Sequence, residues 1–279
     1  MKTAVIDVGG GMRGIYAAGV FDRCMDDGIV FDLAIGISAG SANVASYTAG
    51  QRGRNYRFYT DYAFRREYMG MELFLKKGSF IDLDYVYSVL SNADGEDPLD
   101  YASFTASPTQ VITIATDALT GQPTYFTKRN YGPDNYDVVK ASCALPFFCK
   151  PYVVNDRPCF DGALGDPVPV KKALELGCEK IVLILTKPAN RPRRLGRDPE
   201  IAHRIHRRYP AAAEALQTRA ERYNEGVALA RALERQGKAL IIAPDDTCGV
   251  DTLVRDREKL DAFYQKGLRD GGRIGKFLL

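Results

Sequence analysis

Ser38 occupies the middle of Gly36-Ile37-Ser38-Ala39-Gly40, where the strand-like run Leu33–Ile37 gives way to a stretch of small, helix-compatible residues. A Gly-x-Ser-x-Gly turn between strand and helix lifts the serine hydroxyl on a strained backbone. The small side chains of Ala39, Gly40, Ser41 and Ala42 let the next helix pass close by. This is a setting for a nucleophile. A second glycine-rich turn, Gly9-Gly10-Gly11-Met12-Arg13-Gly14, follows the run Thr3–Val8 and leads into a helix near Ile15. Amides presented beside a helix N-terminus bind negative charge. The same turn satisfies Gly-x-Gly-x-x-Gly, which keeps a dinucleotide-binding oxidoreductase as a rival reading. That rival needs an acidic residue at the end of the second strand, whereas Asp32 stands at its start. No Gly-Lys-Ser/Thr follows to make a phosphate-binding P-loop.

A serine hydroxyl attacks only when a base takes its proton. The chain has two histidines, His203 and His206, both in the basic stretch Ile201–Arg208, which reads as a solvated helix face. The order Ser38, Asp161, His203 suits an α/β-hydrolase triad, but that fold places several strands ahead of its nucleophile and here there is one. A carboxylate base is favoured. Asp161 in Cys159-Phe160-Asp161-Gly162-Ala163 follows the short strand pair Tyr152–Val154 and Arg157–Phe160. Alone, Asp-Gly reads as a turn; Asp166 and Asp7 are the other carboxylate candidates.

The set Gly-Gly-Gly-Met-Arg-Gly at 9–14, Gly-Ile-Ser-Ala-Gly at 36–40, Ala-Ser-Cys-Ala-Leu-Pro at 141–146 and Asp-Gly-Ala at 161–163 resembles the patatin-like phospholipase family, in its bacterial branch, across residues 1–190. The resemblance implies a Ser-Asp dyad, Ser38 and Asp161, working without histidine. It also implies an oxyanion hole from the backbone amides of Gly10, Gly11 and Met12, with Arg13 beside it. A lipid or other acyl ester is the implied substrate, and the implied activity is that of a lipase or phospholipase A. With amides as the electrophile no cofactor or metal is called for, and no carboxylate cluster has an EF-hand spacing. A catalytically silent lipid-binding module on the same fold is a third reading.

To position these residues the chain alternates strand-like and helical stretches, with strands expected at Thr3–Val8, Leu33–Ile37, Val111–Thr116, Thr124–Thr127, Lys180–Thr186 and Ala239–Ala243. The expected fold is a three-layer α/β domain: a mostly parallel central sheet, helices on both faces, and one antiparallel hairpin around Asp117–Gly121. No linker divides the 279 residues, so one domain is expected, with 187–236 a basic loop and a helical segment, broken at Pro210, packed on it. A net charge of +3 gives no bulk attraction for nucleic acid. The uncharged stretch Leu33–Gln51 carries too many serines and glycines for a bilayer helix, the N-terminus lacks a secretory signal, and six cysteines form no Cys-x-x-Cys pair. These point to a cytoplasmic protein. Seven arginines between Arg191 and Arg208 form a local basic patch suited to peripheral contact with the inner membrane face, or to plain solvation.

Overall fold

A computed structural model describes residues 1–279. Five strands form the parallel part of one sheet: β1 (Thr3–Asp7), β2 (Leu33–Ile37), β3 (Gln110–Asp117), β7 (Lys180–Ile184) and β8 (Ala239–Ile242). Three more, β4 (Pro123–Thr127), β5 (Tyr152–Val154) and β6 (Arg157–Asp161), run antiparallel to their neighbours. The expected hairpin is β3–β4. A second one, β5–β6, turns through Asn155 and Asp156, both at positive φ (50° and 61°), which matches the twist of a two-residue hairpin.

The sheet order is β5-β6-β3-β2-β1-β7-β8, with β4 also on β3. Because β4 covers Ile112–Thr116, it overlaps both β2 (opposite Gln110–Ile114) and β6 (opposite Ala115–Asp117) along β3. It must therefore occupy one edge of β3 while β2 and β6 share the other, end to end. Ile37 faces Ile114 and Asp161 faces Ala115, so β6 begins where β2 leaves off.

Helices cover both faces. On one, α1 (Gly14–Asp26), α2 (Ala39–Thr48) and α10 (Arg257–Gly271) pack with Val5, Ala34, Val111 and Val182. On the other, α7 (Val170–Glu175) and the C-terminal half of α9 (Pro210–Arg235) pack on Ile6, Ile35, Ile112 and Leu183. Strands β1 and β2 are buried almost throughout, as central strands covered on both sides must be. Pro210 starts α9 at a position where its missing N–H costs nothing, and α8 (Asp198–His206) precedes it. The remaining helices are α3 (Arg54–Thr60), α4 (Met71–Lys77), α5 (Tyr101–Ala106), α6 (Asp137–Cys143) and α11 (Ile274–Leu278). None of the helices is long and apolar enough to cross a membrane.

Neighbours β1 and β7 lead into crossovers on opposite faces, α1 on one side and α9 on the other. This makes the C-terminal ends of β1 and β7 a topological switch point, the kind of place where α/β sheets bind ligands.

Candidate active site

Ser38 follows β2 at φ 55°, ψ −133°, a conformation L-residues adopt only when the surroundings impose it. The impositions are identifiable. A Cβ on Gly36 would lie 2.5 Å from the Ser41 Cα, and one on Gly40 would lie 2.4 Å from the Asp7 carbonyl oxygen, so both flanking glycines are required by close approach of backbone. The Ser38 N–H donates to Ser142 Oγ at 2.9 Å, and Ser142 Oγ donates to the Ile114 carbonyl at 2.6 Å. The hydroxyl of Ser142, on α6, is thus inserted where Ser38 departs from the β2–β3 ladder. On the other side of the turn, the Ser41 N–H (2.9 Å) and Ser41 hydroxyl (2.6 Å) both donate to the Ser38 carbonyl.

Asp161 ends β6 and is wholly buried. Its N–H donates to the Ala144 carbonyl at 2.9 Å, and its Oδ1 accepts the Ala163 N–H at 2.9 Å. Oδ2 is enclosed and makes no hydrogen bond. Burial pushes the carboxyl above the ordinary carboxylate range; the Ala163 amide, the nearby Ser38 hydroxyl, Arg219 and Arg193 pull it partly back. Ser38 is therefore near enough to stabilise the carboxylate while falling short of a formal hydrogen bond at rest, a looseness common before substrate tightens a site. The 123 positions between the two residues are spanned by the end-to-end arrangement of β2 and β6 on β3. Residues 141–146 tie both ends down, Ser142 to Ser38 and Ala144 to Asp161.

The glycine turn borders Ser38. A Cβ on Gly9 would meet Ser38 Cβ at 3.1 Å and the Ile37 carbonyl at 2.2 Å. Gly9, Gly10 and Gly11 all have positive φ. The N–H groups of Gly10 and Gly11 make no hydrogen bond with the protein. Met12 differs from the expectation for this loop: its N–H donates to the Thr252 carbonyl at 3.0 Å and is occupied. Arg13 lies beside Gly10, with Nη1 donating to Thr252 Oγ1 at 2.9 Å and Nε buried without a partner.

The other candidates fall elsewhere. Asp7 accepts from the Gly9 N–H (2.9 Å) and Asn43 Nδ2 (2.8 Å), and burial pushes its pKa up to about 6. It braces the turn from beneath. Asp166 accepts from the Tyr125 hydroxyl at 2.8 Å. Asp32 accepts the Thr3 N–H at the far end of β2 from the glycine turn. His203 and His206 are exposed in the last turn of α8. Of the seven arginines in the basic patch, six are exposed and Arg193 turns inward. The sequence reading passed over Asn43, Thr186 and Thr252, which hold the turn; isolated polar residues far apart in sequence give no pattern to find them by. Ser142 lay within the quoted Ala-Ser-Cys-Ala-Leu-Pro motif, which was the available signal.

A cavity opens beside Ser38, lined among others by Gly11, Met12, Ala42, Phe58, Tyr59 and Leu145, and 13 of its 19 lining residues are hydrophobic. Such a site can hold an apolar group against a hydroxyl backed by a buried carboxylate and faced by free amides.

Residues 8–174 match the model of the patatin-like phospholipase family, and residues 209–275 match that of a domain of unknown function (DUF6363). The chain is 31% identical over 192 residues to the uncharacterized protein YjjU of Escherichia coli strain K12, an alignment covering 67% of this chain and 53% of that protein. It therefore spans about half the length of this curated relative. The fold is similar to that of VipD from Legionella pneumophila, with a TM-score of 0.55 at 12% identity, covering 98% of this chain and 66% of VipD. With the family model matching well over half of its residues, the chain belongs to the patatin-like phospholipase family.

Proposed function

We propose that the protein is a serine acyl-ester hydrolase acting on lipid esters, with Ser38 as nucleophile and Asp161 as the base. The observation that carries the reading is the meeting of a strained, anchored serine with a buried carboxylate whose Oδ2 has no other partner. In the attack, the Ser38 proton passes to Asp161 Oδ2 as Oγ bonds to the ester carbonyl carbon. The oxyanion of the tetrahedral intermediate takes the Gly10 and Gly11 N–H groups, which are free to receive it. Met12 contributes a third amide only if Thr252 releases it. Collapse expels the alcohol, which leaves with the proton from Asp161. Water, deprotonated by the same carboxylate, then attacks the acyl-serine and regenerates Ser38. The apolar cavity suits the acyl chain.

The family supports lipid acyl hydrolysis in general, and the arrangement around Ser38 supports this particular machinery. The test is labelling with a fluorophosphonate together with hydrolysis of a soluble ester. Wild type is expected to react in both, and Ser38→Ala in neither. Labelling that survives Ser38→Ala, or ester turnover undiminished by it, refutes the assignment.

A further inference from the structure

The cavity beside Ser38 is less uniformly apolar than its residue types suggest. Of the 13 hydrophobic residues that line it, Tyr59, Tyr68, Tyr87 and Cys143 carry a hydroxyl or a thiol, and Arg54 and Asn55, at the start of α3, join them. Most of these groups are already paired. The Tyr59 hydroxyl donates to Asn43 Oδ1 at 3.4 Å, and the Tyr87 hydroxyl lies 3.4 Å from Cys143 Sγ. Arg54 gives its N–H groups to Ser46 Oγ (3.0 Å), Ser91 Oγ (2.9 Å) and the Asp97 carbonyl (2.8 and 3.2 Å), with Asp97 Oδ1 at 3.5 Å from its Nε. Two atoms stand apart. Tyr68 is only 8% exposed, yet its hydroxyl makes no hydrogen bond with the protein. Asn55 is 4% exposed; its Nδ2 donates to the Asn43 carbonyl at 3.2 Å, and its Oδ1 accepts nothing. Neither atom is sealed into the packing, and both residues line the cavity.

An acyl chain attached at Ser38 and running into this cavity displaces the solvent that would otherwise serve the two open atoms. A chain of methylenes alone gives them nothing in return, and a buried donor and a buried acceptor left unpaired are unfavourable. The two atoms complement each other. Burial and the neighbouring Cys143 raise the Tyr68 phenol above its ordinary range, with Arg54 opposing them, so at neutral pH the hydroxyl is protonated and donates. The carboxamide oxygen of Asn55 only accepts. A hydroxyl group serves both, since it accepts from one and donates to the other. A carboxylate serves less well: it has no proton for Asn55 Oδ1, and the Arg54 N–H groups that could offset its desolvation are engaged with Ser46, Ser91 and Asp97. Cys143 relates this region to the proposed dyad. It follows Ser142, which anchors Ser38, and it is near enough to feel Asp161, while Tyr68 is near enough to feel Cys143.

We propose that the cavity selects an acyl chain that carries a hydroxyl group, recognised by Tyr68 as donor and Asn55 as acceptor. The proposal rests on Ser38 being the nucleophile of an ester hydrolase, and it names the class of acyl group that this nucleophile accepts. The remaining wall, which includes Met12, Phe58, Met69, Leu83 and Leu145, holds the methylenes of the same chain.

The test compares ethyl octanoate with the ethyl esters of 3-, 6- and 8-hydroxyoctanoic acid and with monoethyl octanedioate, in wild type, Tyr68→Phe and Asn55→Leu. Tyr68→Phe removes one oxygen and no native hydrogen bond, so its folding is secure even if Asn55→Leu, which loses the bond to the Asn43 carbonyl, proves unstable. In wild type, kcat/KM for at least one hydroxy ester is expected to exceed that for ethyl octanoate about tenfold, and in Tyr68→Phe that ratio is expected to return to about one. In parallel, the same esters are titrated calorimetrically into Ser38→Ala protein with and without Tyr68→Phe. The preferred hydroxy ester is expected to bind about tenfold more tightly than ethyl octanoate, and to lose that advantage with the phenol oxygen. Ethyl octanoate cleaved as well as every hydroxy ester, or a preference that survives Tyr68→Phe, overturns the proposal. A preference confined to monoethyl octanedioate overturns the hydroxyl in favour of an anionic chain end. If wild type cleaves none of the esters, the reading of Ser38 fails, and the titrations still decide the cavity: binding that depends on both the ligand hydroxyl and Tyr68 upholds the recognition, and binding indifferent to either overturns it.

Discussion

Replacing Ser142 by alanine separates the scaffold of Ser38, the proposed nucleophile, from that residue itself. The hydroxyl makes two hydrogen bonds in a fully buried place, accepting from the Ser38 N–H and donating to the Ile114 carbonyl. Removing it leaves both backbone groups unpaired, and a buried polar group without a partner costs ~1–3 kcal/mol. Since the space left is too small for a water to replace both bonds well, a loss of about 2–4 kcal/mol is expected. At ~2–4 °C per kcal/mol for a chain of this size, the melting temperature falls by about 4–16 °C. The effect on turnover has a separate origin. Ser38 stands in a backbone conformation costing ~1–3 kcal/mol, and Ser142 holds its N–H there. Released, the turn relaxes, and a displacement of ~1 Å at a reacting atom lowers kcat about 100-fold. Thermal unfolding followed by circular dichroism and hydrolysis of a soluble ester by folded protein at a temperature well below the transition measure the two effects independently. A Ser142→Ala protein that melts within about 2 °C of wild type and retains kcat within roughly threefold refutes the reasoning.

Asp161→Asn is expected to remove nearly all ester hydrolysis while the melting temperature at pH 8 holds or rises, because a buried carboxylate whose pKa is raised costs stability once ionised; His203→Ala/His206→Ala is expected to keep turnover within a few-fold of wild type, and the reverse pattern of activities refutes the carboxylate base. The acid limb of the pH–kcat/KM profile is expected above the ordinary carboxylate range and to move further up in Arg193→Gln, since a positive neighbour that favours the ionised base has been removed; an unmoved limb refutes the coupling. Gly10→Ala is expected to lose stability as well as ~10²–10³ in kcat, because Gly10 sits at φ 135° and its Cβ would meet Thr186 Oγ1 at 2.6 Å, and turnover near wild type removes the amide from the oxyanion hole. Asn43→Ala takes from Asp7 one of the two hydrogen bonds that offset its burial. Because the Asp7 pKa of about 6 lies above its unfolded value, the penalty is fully present above pH 6 and fades toward pH 4, so the variant's melting deficit is expected to be larger at pH 8 than at pH 5.

The strand cores were legible because a sheet covered on both faces demands uninterrupted apolar runs, as in Ile181–Leu185, and each such run became a strand to within a residue or two at its ends. Positions 36–40 and 9–14 were legible for a related reason: where an added Cβ would come within 2.5 Å of neighbouring backbone only glycine fits, and glycine leaves a visible trace. What the sequence could not convey was the pairing register. The juxtaposition of Ser38 with Asp161 depends on β2 and β6 meeting on one edge of β3, and register over such separations leaves no local pattern. Nor did anything in the run Arg191–Arg208 distinguish Arg193, which turns inward, from neighbours that face water.

The clamp on the glycine turn comes from Thr252, in the loop that precedes α10, and α10 itself lies against α1. The turn at residues 9–14 thus reaches its final shape only after chain made much later has docked. At ribosomal rates of ~5–20 residues per second, the stretch from Gly11 to Thr252 takes about 12–50 s to synthesise. For most of that interval β1 has β2 for company but lacks its other neighbour β7, and the strut at Thr252 arrives last. A nascent chain therefore carries the Gly-Gly-Gly-Met-Arg-Gly sequence without the geometry that goes with it. The last third of the protein sets the moment at which the turn bordering Ser38 takes its shape.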